Sequence, residues 1–338
     1  MEKDNWMVWD RELGHYEVWY TTLSHRASQT GFWIRYTLEA PIPGHGEPYA
    51  QLWFARFDPH DPEATFGFNR RFPIGDLVGS TTPFSIRIGD AELRHDGIRG
   101  ALSGGGHEAR WDLSWTPAAV TYRLLPDFAY GASFASTQVL SPNQSVAARG
   151  TIVVDGRTYT LEEEPAGQTH LWGRKHAYSW GWAHANCFDH GRLASIEALS
   201  VRLKRGSIIL PTLTVFTLFV DGERLDFRSA WQLPLARGEF RTGLYRFVGI
   251  SPHAKVEATF TCRPDDMVLA EYVDPDGDPA FCHNSCCATA EIKLSRRSPF
   301  VARFRDAGKL VATRTAHFEW AARAGDVVQV KRLHQPLP

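Results

Sequence analysis

The chain has 338 residues, 43% of them apolar, and a net charge of −1 from 37 basic and 38 acidic side chains. This length favours about two domains. The balanced charge, without a basic tract, argues against nucleic acid or an anionic membrane surface as a partner. No apolar run reaches the roughly eighteen residues of a membrane span. The N-terminal segment has neither the basic nor the apolar part of a signal peptide, so we expect a cytoplasmic protein whose five cysteines are reduced.

Short β-strands are predicted along the whole chain. Aromatic residues make up 12% of the sequence, and large aromatic side chains favour pleated, half-buried surfaces. The segment "HEARWDLSW" at 107–115 alternates apolar and polar residues, which is the period of a strand with one solvated face. The pairs Asp155-Gly156 and Asp221-Gly222 each separate two apolar runs and predict hairpin turns.

These strands predict an all-β protein built from two antiparallel barrels. Strand signals recur roughly every 8–12 residues with few helical patterns, which is typical of antiparallel barrels or sandwiches. A small closed barrel needs roughly eight to ten strands, so the chain has enough predicted strands for two. The boundary is predicted after "EALSVRLKRG", giving an N-terminal barrel domain at 1–205 and a C-terminal barrel domain at 206–338.

Three motifs resemble ligand sites but fit simpler structures better. "SGGGH" at 103–107 lacks the Gly-Lys-Ser/Thr ending of a phosphate loop and predicts a turn. "DPDGDP" at 274–279 departs from the calcium loop of an EF-hand and predicts a solvated turn. "CHNSCC" at 282–287 has an unusual spacing for zinc, and a strand would point Cys286 and Cys287 to opposite faces, so buried thiols are favoured over a metal site.

The segment "HLWGRKHAYSWGWAHANCF" at 170–188 carries the strongest functional signal. If its second half is a strand, the bulky residues share one face and the small residues share the other. The bulky set is Tyr178, Trp180, Trp182, His184, Asn186 and Phe188, and the small set is Ser179, Gly181, Ala183, Ala185 and Cys187. An exposed row this apolar would favour aggregation, so we expect the bulky face to point into a barrel interior. The small face would let another layer approach closely.

A second strand, "LASIEALSVRL" at 193–203, follows after a turn. An even-length turn makes the apolar faces of the two strands coincide and sets His184 opposite Glu197. In an apolar cavity this pair would act as general acid or base, because burial raises the pKa of Glu197 and a charged histidine lowers it. Two alternatives stay open: a core pair that only fixes the register, and a metal site that also uses His170.

The segment 154–188 also resembles a known group of proteins. The matching residues are Asp155, Gly156, Gly167, the H-x-W-G of His170, Trp172 and Gly173, and the W-x-W-x-x-x-N-x-F of Trp180, Trp182, Asn186 and Phe188. They are similar to the central segment of the two-domain lipocalin-like superfamily, which includes carotenoid 1,2-hydratase (hydroxyneurosporene synthase), tocopherol cyclase, fungal lipocalin-like Diels–Alderases and AttH-like proteins. Relatives often have an acidic residue where Thr169 stands, so an acid role is not carried over to that position.

The resemblance implies two lipocalin-like (calycin) β-barrels packed side by side. It also implies cofactor-free hydration, cyclisation or cycloaddition of an apolar, often prenyl or polyene, substrate in a cavity at or near the domain interface. Membership of such a group implies the fold more strongly than the reaction, because one fold hosts many chemistries.

Three hypotheses about function follow. The first is a cofactor-independent cyclase, hydratase or cycloaddition catalyst that binds a hydrophobic small molecule and needs no metal. The second is a lipocalin-like carrier or stress protein that binds a lipid or hydrophobic metabolite without turnover. The third is a structural interaction protein with a filled interior. A cavity on the order of several hundred Å³ reached by His184 and Glu197 would favour the first, and one from which they point away would favour the second.

The first hypothesis assigns roles to particular residues. The catalytic set is Glu197, His184 and His170, and the substrate-binding set is Trp172, Trp180, Trp182, Asn186 and Tyr178. Glu197 or His184 would transfer the proton, while His170 and Asn186 would orient polar groups of the substrate. The aromatic faces would stabilise a developing carbocation by cation–π attraction, in a cavity that restrains quenching by water. The sequence leaves open the oligomeric state and the identity of the ligand.

Overall fold

A computed structural model describes residues 2–130, 136–298, 303–323 and 330–335. Antiparallel β-sheet dominates these ranges, and their helical elements are short 3-10 turns. The turns are Glu2–Asn5, Pro62–Ala64, Ile74–Asp76, Asp127–Ala129, Asp189–Gly191, Leu233–Leu235 and Pro264–Asp266. Within the same ranges, no helix combines the length and the apolar character that crossing a membrane requires.

The first sheet uses the first half of the chain. Its strands are β1 (His15–His25), β2 (Thr30–Ala40), β3 (Tyr49–Phe57), β4 (Phe66–Pro73), β5 (Leu77–Thr81), β6 (Phe84–Ile88), β7 (Ala91–Arg94), β8 (Gly97–Gly104), β9 (His107–Ser114), β10 (Tyr122–Arg123), β11 (Thr137–Val154) and β12 (Arg157–Gly173). Their spatial order is β4-β3-β2-β1-β12-β11-β9-β8-β7-β6-β5, with β10 paired to β11. The inner face of this sheet encloses a core that includes Trp19, Phe54 and Trp111.

The second sheet uses the second half of the chain. The strands that follow are β13 (Ser179–Ala185), β14 (Ala194–Arg202), β15 (Lys204–Arg205), β16 (Ile208–Ile209), β17 (Leu213–Val220), β18 (Glu223–Phe227), β19 (Arg237–Arg241), β20 (Leu244–Ile250), β21 (Ala254–Thr261), β22 (Val268–Val273), β23 (Pro279–Arg296), β24 (Arg305–Ala322) and β25 (Lys331–Arg332). The main order is β18-β17-β14-β13-β24-β23-β21-β20-β19; β22 pairs with β23 and β25, and β15 pairs only with β16 among the described strands.

The predicted all-β class is confirmed, and so are the local patterns behind it. Strand β9 buries alternate residues, as the 107–115 segment predicts. Asp155-Gly156 closes the β11–β12 hairpin and Asp221-Gly222 closes the β17–β18 hairpin, each pair with both φ angles positive. Asp-Gly favours such turns because both central residues must adopt left-handed backbone angles.

The sheets divide between Gly173 and Ser179, before the predicted domain boundary at residue 205. The hairpin formed by β13 and β14 therefore belongs to the second sheet. A division of the chain into domains 1–205 and 206–338 stays a prediction. In terms of sheets, the connection at 174–178 separates the two halves.

The bulky face of β13 does not point into a barrel interior, so that prediction is wrong. Ala183 and Ala185 lie in the core of the second sheet, where Phe240 packs against Gly181. Trp180 and Trp182 lie in a separate apolar cluster between the two sheets. The small residues leave room for phenylalanines inside the second barrel, and the first sheet covers the bulky row. Period 2 separates the two faces correctly but does not say which face is internal.

Candidate active site

A cavity of about 930 Å³ lies between the two sheets. Its aromatic lining consists of Tyr20, Trp33, Phe128, Tyr178, Trp180, Trp182 and Tyr272. Three titratable side chains that matter below, Arg35, His176 and Glu319, also stand on its wall. Both the volume and the mixture of apolar rings with a few polar groups are typical of a site for a small apolar ligand.

The predicted register of the central hairpin is confirmed. His184 pairs with Glu197 and Trp182 pairs with Leu199 across β13 and β14. The side chains of His184 and Glu197 nevertheless find other partners, and no hydrogen bond between them occurs among the described contacts. Both reach across to β11 of the first sheet, so the facing pair spans the junction between the sheets.

Glu197 is a buried carboxyl behind the aromatic wall, with only 1% of its surface exposed. Ser141 Oγ lies 2.9 and 3.0 Å from its two carboxyl oxygens, and the Trp182 indole N–H donates to it at 3.4 Å. Burial raises the pKa of Glu197 to about 7, although these hydrogen bonds oppose the shift. The residue therefore exchanges a proton near neutral pH.

His184 belongs to a chain of polar groups that connects the sheets. Its Nε2 donates to the carbonyl oxygen of Gln144 at 2.9 Å, because a carbonyl can only accept. Its Nδ1 then accepts from Nδ1 of His317 at 3.3 Å, which leaves His317 Nε2 facing the Ser24 hydroxyl at 3.2 Å. Burial lowers the pKa of His184 to about 4, and burial followed by the neighbouring His184 lowers that of His317. This neutral pair fits a role in holding the sheets together.

Replacing Glu197 by Gln tests the buried charge through the pH dependence of stability. Between pH 4.5 and 7 the folded protein holds a proton on Glu197 that the unfolded chain releases, so this residue makes stability fall as pH rises. The shift corresponds to about 3 kcal/mol. His184 has the opposite effect, because its folded pKa near 4 makes stability rise between pH 4 and 6.5.

His317, whose pKa is lowered as well, adds to the rise caused by His184, so we expect the stability of E197Q to rise more steeply with pH than that of the wild-type protein. Urea unfolding from pH 4.5 to 7.5 measures the difference, which should grow in favour of E197Q by about 3 kcal/mol as pH rises. The matched control is Glu162→Gln, since Glu162 is exposed. A pH profile of E197Q parallel to that of wild type would contradict the assignment.

Several predicted site residues lie off the cavity. His170 points to the opposite face of β12, where Nε2 bonds Glu17 at 2.8 Å, Nδ1 bonds the Asp4 carbonyl at 2.7 Å and the ring stacks on Trp19. Trp172 packs beside His170 on that face. The neighbour between them, Leu171, is the residue that lines the cavity.

Asn186 also lies outside the cavity wall. Its side-chain amide donates to the carbonyl oxygen of Ala166 at 2.9 Å and so links the end of β13 to the first sheet. Of the predicted site residues, Trp180, Trp182 and Tyr178 line the cavity, and Glu197 stands behind it in contact with Trp182. His184, His170, Trp172 and Asn186 do not belong to the lining found in the described part of the chain.

His176 lines the cavity, although it is not among the site residues predicted from the sequence. Its Nδ1 lies 2.6 Å from Oδ1 of Asp274, and its backbone N–H donates to the same oxygen at 3.0 Å. The ring is held between Tyr16 and Trp180, at centroid distances of 4.2 and 5.3 Å. Nε2 has no hydrogen-bond partner among the described residues, and the residue is part of the cavity wall.

Asp274 lies in the "DPDGDP" motif, which is a turn as predicted, but its side chain is buried rather than solvated. Arg323 Nη2 donates to its second oxygen at 2.7 Å. Burial alone would raise the pKa of Asp274, but the His176 hydrogen bond and the Arg323 charge hold it below the usual value. Whenever His176 is neutral, the charged Asp274 keeps its single N–H on Nδ1 and leaves the lone pair on Nε2.

Glu319 of β24 is the second titratable group on this part of the wall. One oxygen accepts the Trp180 indole N–H and the other accepts from Asn284 Nδ2 at 3.3 Å. Those bonds fix the carboxylate next to the aromatic rings. The pairing of Trp182 with Glu319 across β13 and β24 explains why both side chains face the same space.

A metal site is not supported by the described residues, in which no three His, Cys, Asp or Glu side chains converge on one point. The "CHNSCC" segment forms part of β23, with Cys282, Cys286 and Cys287 buried as free thiols. Register shifts between Ser285 and Ala288 interrupt the regular alternation of this strand. Burial raises the pKa of these thiols, which favours their neutral, packing form.

Comparison with known proteins identifies the family of this chain. The sequence pattern described as tocopherol cyclase-like matches residues 94–319, more than half of the chain. The chain belongs to the tocopherol cyclase-like family. The family segment includes His176, Glu197, Asp274 and Glu319, whereas Arg35 and the rest of β1 to β4 precede it.

Two similar sequences and two similar structures accompany the family match. The uncharacterized proteins MT0513 and Rv0493c, from two strains of Mycobacterium tuberculosis, are each 29% identical over 86% of this chain and 84% of their own. The structure of an AttH protein of Nitrosomonas europaea aligns with a TM-score of 0.56 and 14% identity over 93% of both chains. Kievitone hydratase of Nectria haematococca aligns with a TM-score of 0.50 and 9% identity over 91% of this chain and 89% of its own. At these identities the two structures show the fold alone, and the predicted lipocalin-like resemblance is confirmed.

Proposed function

We propose that this member of the tocopherol cyclase-like family is a cofactor-independent enzyme of the cyclase or hydratase type. Its substrate is a hydrophobic small molecule with a prenyl or polyene body. The observation that carries the proposal is the His176–Asp274 pair on the wall of an aromatic cavity. An imidazole with its Nδ1–H on a carboxylate and its Nε2 towards a ligand is a recurrent arrangement for moving a proton.

The rest of the wall supplies what such a reaction needs. In its protonated form His176 donates the Nε2 proton to an alkene, which creates positive charge on carbon, and the neutral imidazole that remains can take a proton back when the cation is captured or lost. The faces of Trp33, Trp180 and Trp182 stabilise the positive charge by cation–π attraction. A lining dominated by rings restricts water, which would otherwise capture the cation at the wrong position. We assign to Glu197 the role of a proton reservoir that acts through Ser141, and we place His184, His170, Trp172 and Asn186 outside direct contact with the substrate.

A second candidate function is a carrier without turnover. Its supporting observation is that Glu197 and His184 lie behind or beside the wall and leave a mostly apolar surface to the ligand. The kievitone hydratase likeness does not decide between the two functions, because it concerns the fold.

The test begins with the ligand that co-purifies with the protein. We expect organic extraction and mass spectrometry to identify an apolar compound. Incubation of that compound, and of a panel of prenyl and polyene compounds, with the protein in D2O should yield a product with one deuterium on carbon. Such incorporation requires proton transfer from a solvent-exchangeable group, as in hydration or cyclisation.

Other outcomes of this test would support a different function. A bound compound that never changes supports the carrier, and a rearranged product without deuterium supports a cycloaddition. Glu197→Gln and His184→Ala belong in the same assay. We expect E197Q to lower turnover and H184A chiefly to lower stability, and wild-type turnover in both would remove these residues from acid–base chemistry.

A further inference from the structure

Arg35 is a buried cation that forms no ion pair with any residue the structure describes. It lies in the middle of β2 with 4% of its surface exposed, and it lines the cavity. Its Nε donates to the hydroxyl of Thr37 at 2.9 Å. In the described ranges no Asp or Glu oxygen lies within 4.0 Å of its guanidinium nitrogens. Buried charges in proteins are normally paired, because losing hydration costs several kcal/mol.

Aromatic rings hold the guanidinium in place. Its central carbon lies 4.1 Å from the ring centre of Tyr272, 5.3 Å from that of Trp53 and 5.8 Å from that of Trp33. Cation–π attraction to these faces offsets part of the lost hydration. The rings also fix the orientation of the planar group, while the Nη atoms have no hydrogen-bond acceptor among the residues described. The group is thus preorganised to donate into the cavity.

Nearby carboxyl groups do not neutralise it. Glu39, further along β2, is buried, and this burial raises its pKa well above the usual range although the charge of Arg35 opposes the shift. The raised pKa favours the uncharged form of Glu39. Glu319 accepts hydrogen bonds from Trp180 and Asn284 instead, and its oxygens form no ion pair with Arg35 in the described structure. Arg56, which is also strongly buried, has the usual ion pair of a buried arginine: its Nη2 lies 2.8 Å from a carboxylate oxygen of Asp58.

We propose that Arg35 binds the carboxylate of the ligand, so that the ligand class is an amphipathic molecule with an apolar body and one carboxylate. This inference rests on the proposed function in that it concerns the same cavity. A guanidinium presents two parallel N–H groups that match both oxygens of a carboxylate. The apolar body then lies against Trp180, Trp182 and Leu199, and the carboxylate of the ligand supplies the counter-charge that the described residues do not provide.

The experiment compares ligands that differ only in the head group. Retinoic acid, its methyl ester and retinol are titrated into the purified full-length protein, with quenching of tryptophan fluorescence as the readout. We expect the acid to bind roughly tenfold to a hundredfold more tightly than the ester, the range of a charge-assisted hydrogen-bond pair. Arg35→Met should abolish this preference while the affinity for the ester changes little, and Arg35→Lys should keep a smaller preference.

The matched control is Arg70→Met. Arg70 lies on β4 of the same sheet and is exposed, with its guanidinium carbon 5.1 Å from the ring centre of Phe72. It therefore shares the residue type and the ring contact with Arg35 but does not line the cavity. We expect the preference for the acid to be unchanged in this variant. Circular dichroism checks the fold of each variant, and R35K serves if R35M does not fold.

A wild-type protein that binds the acid no more tightly than the ester, including one that binds neither, overturns the inference. So does an acid preference that survives in R35M or R35K undiminished. Because these measurements require no turnover, they separate the two proposals. Arg35-dependent acid binding without any reaction leaves the inference intact and removes the enzymatic function, and turnover without an acid preference does the reverse.

Discussion

Substitution of Gly31 by Ala is expected to destabilise the protein by about 3 kcal/mol, at the upper end of the range for overpacking. Gly31 lies near the start of β2, where this strand passes over β23 of the other sheet. A Cβ atom at this position would lie 2.2 Å from the carbonyl oxygen of Cys286 and 2.5 Å from its Cβ. These atoms belong to or adjoin the backbone, so relief requires the sheets to move apart. That movement weakens the apolar cluster between them.

Urea unfolding of Gly31→Ala measures the loss. The matched control is Gly75→Ala, because a Cβ atom at Gly75 meets no atom within 4 Å. We expect the control to change stability by less than about 0.5 kcal/mol. If G31A unfolds at the same urea concentration as G75A, the close packing of β2 on β23 is contradicted.

Substitution of His176 by Ala is expected to lower turnover by about two to four orders of magnitude, the usual contribution of a positioned general acid or base. Asp274→Asn keeps the shape of the partner but removes the charge that holds the proton on Nδ1, so it should lower turnover as well. Deuterium incorporation from D2O provides the rate, and fluorescence quenching by the ligand provides the affinity. We expect the affinity to change much less than the rate.

The control for this pair is His253→Ala, since His253 is exposed in the turn between β20 and β21. Loss of rate and affinity by the same factor in H176A would indicate that His176 only shapes the cavity. Turnover of H176A at the level of H253A would contradict its role in proton transfer. In that case Glu319 becomes the wall residue to replace by Gln.

Local patterns predicted much of the fold and part of the site. The alternation of 107–115, the Asp-Gly turns and the pairing of His184 with Glu197 depend on neighbours in the chain or on one hairpin, so period and turn chemistry suffice. Trp180 and Trp182 were assigned to a ligand-binding wall for the same reason. The resemblance of 154–188 to the lipocalin-like superfamily added the barrel architecture.

Contacts between distant segments could not be predicted in this way. Both faces of β13 are apolar, so its pattern does not say which face meets the other sheet. His176 becomes a candidate only through Asp274, almost a hundred residues later in the sequence, and the acidic turn that holds Asp274 has the composition of a solvated loop. The sequence around Arg35 is typical of a core strand. Only the tertiary structure shows that Arg35 lacks a carboxylate partner among the described residues.

The position of the cavity has a consequence for how this family can diversify. Each sheet has a packed core of its own, on the face away from the cavity. The side chains that contact a ligand come from the opposite faces. Exchanges of wall residues therefore alter the shape and chemistry offered to a ligand without disturbing either core. In evolution or in protein engineering, substitutions in the cavity wall can therefore change which ligand binds while the two barrels stay the same.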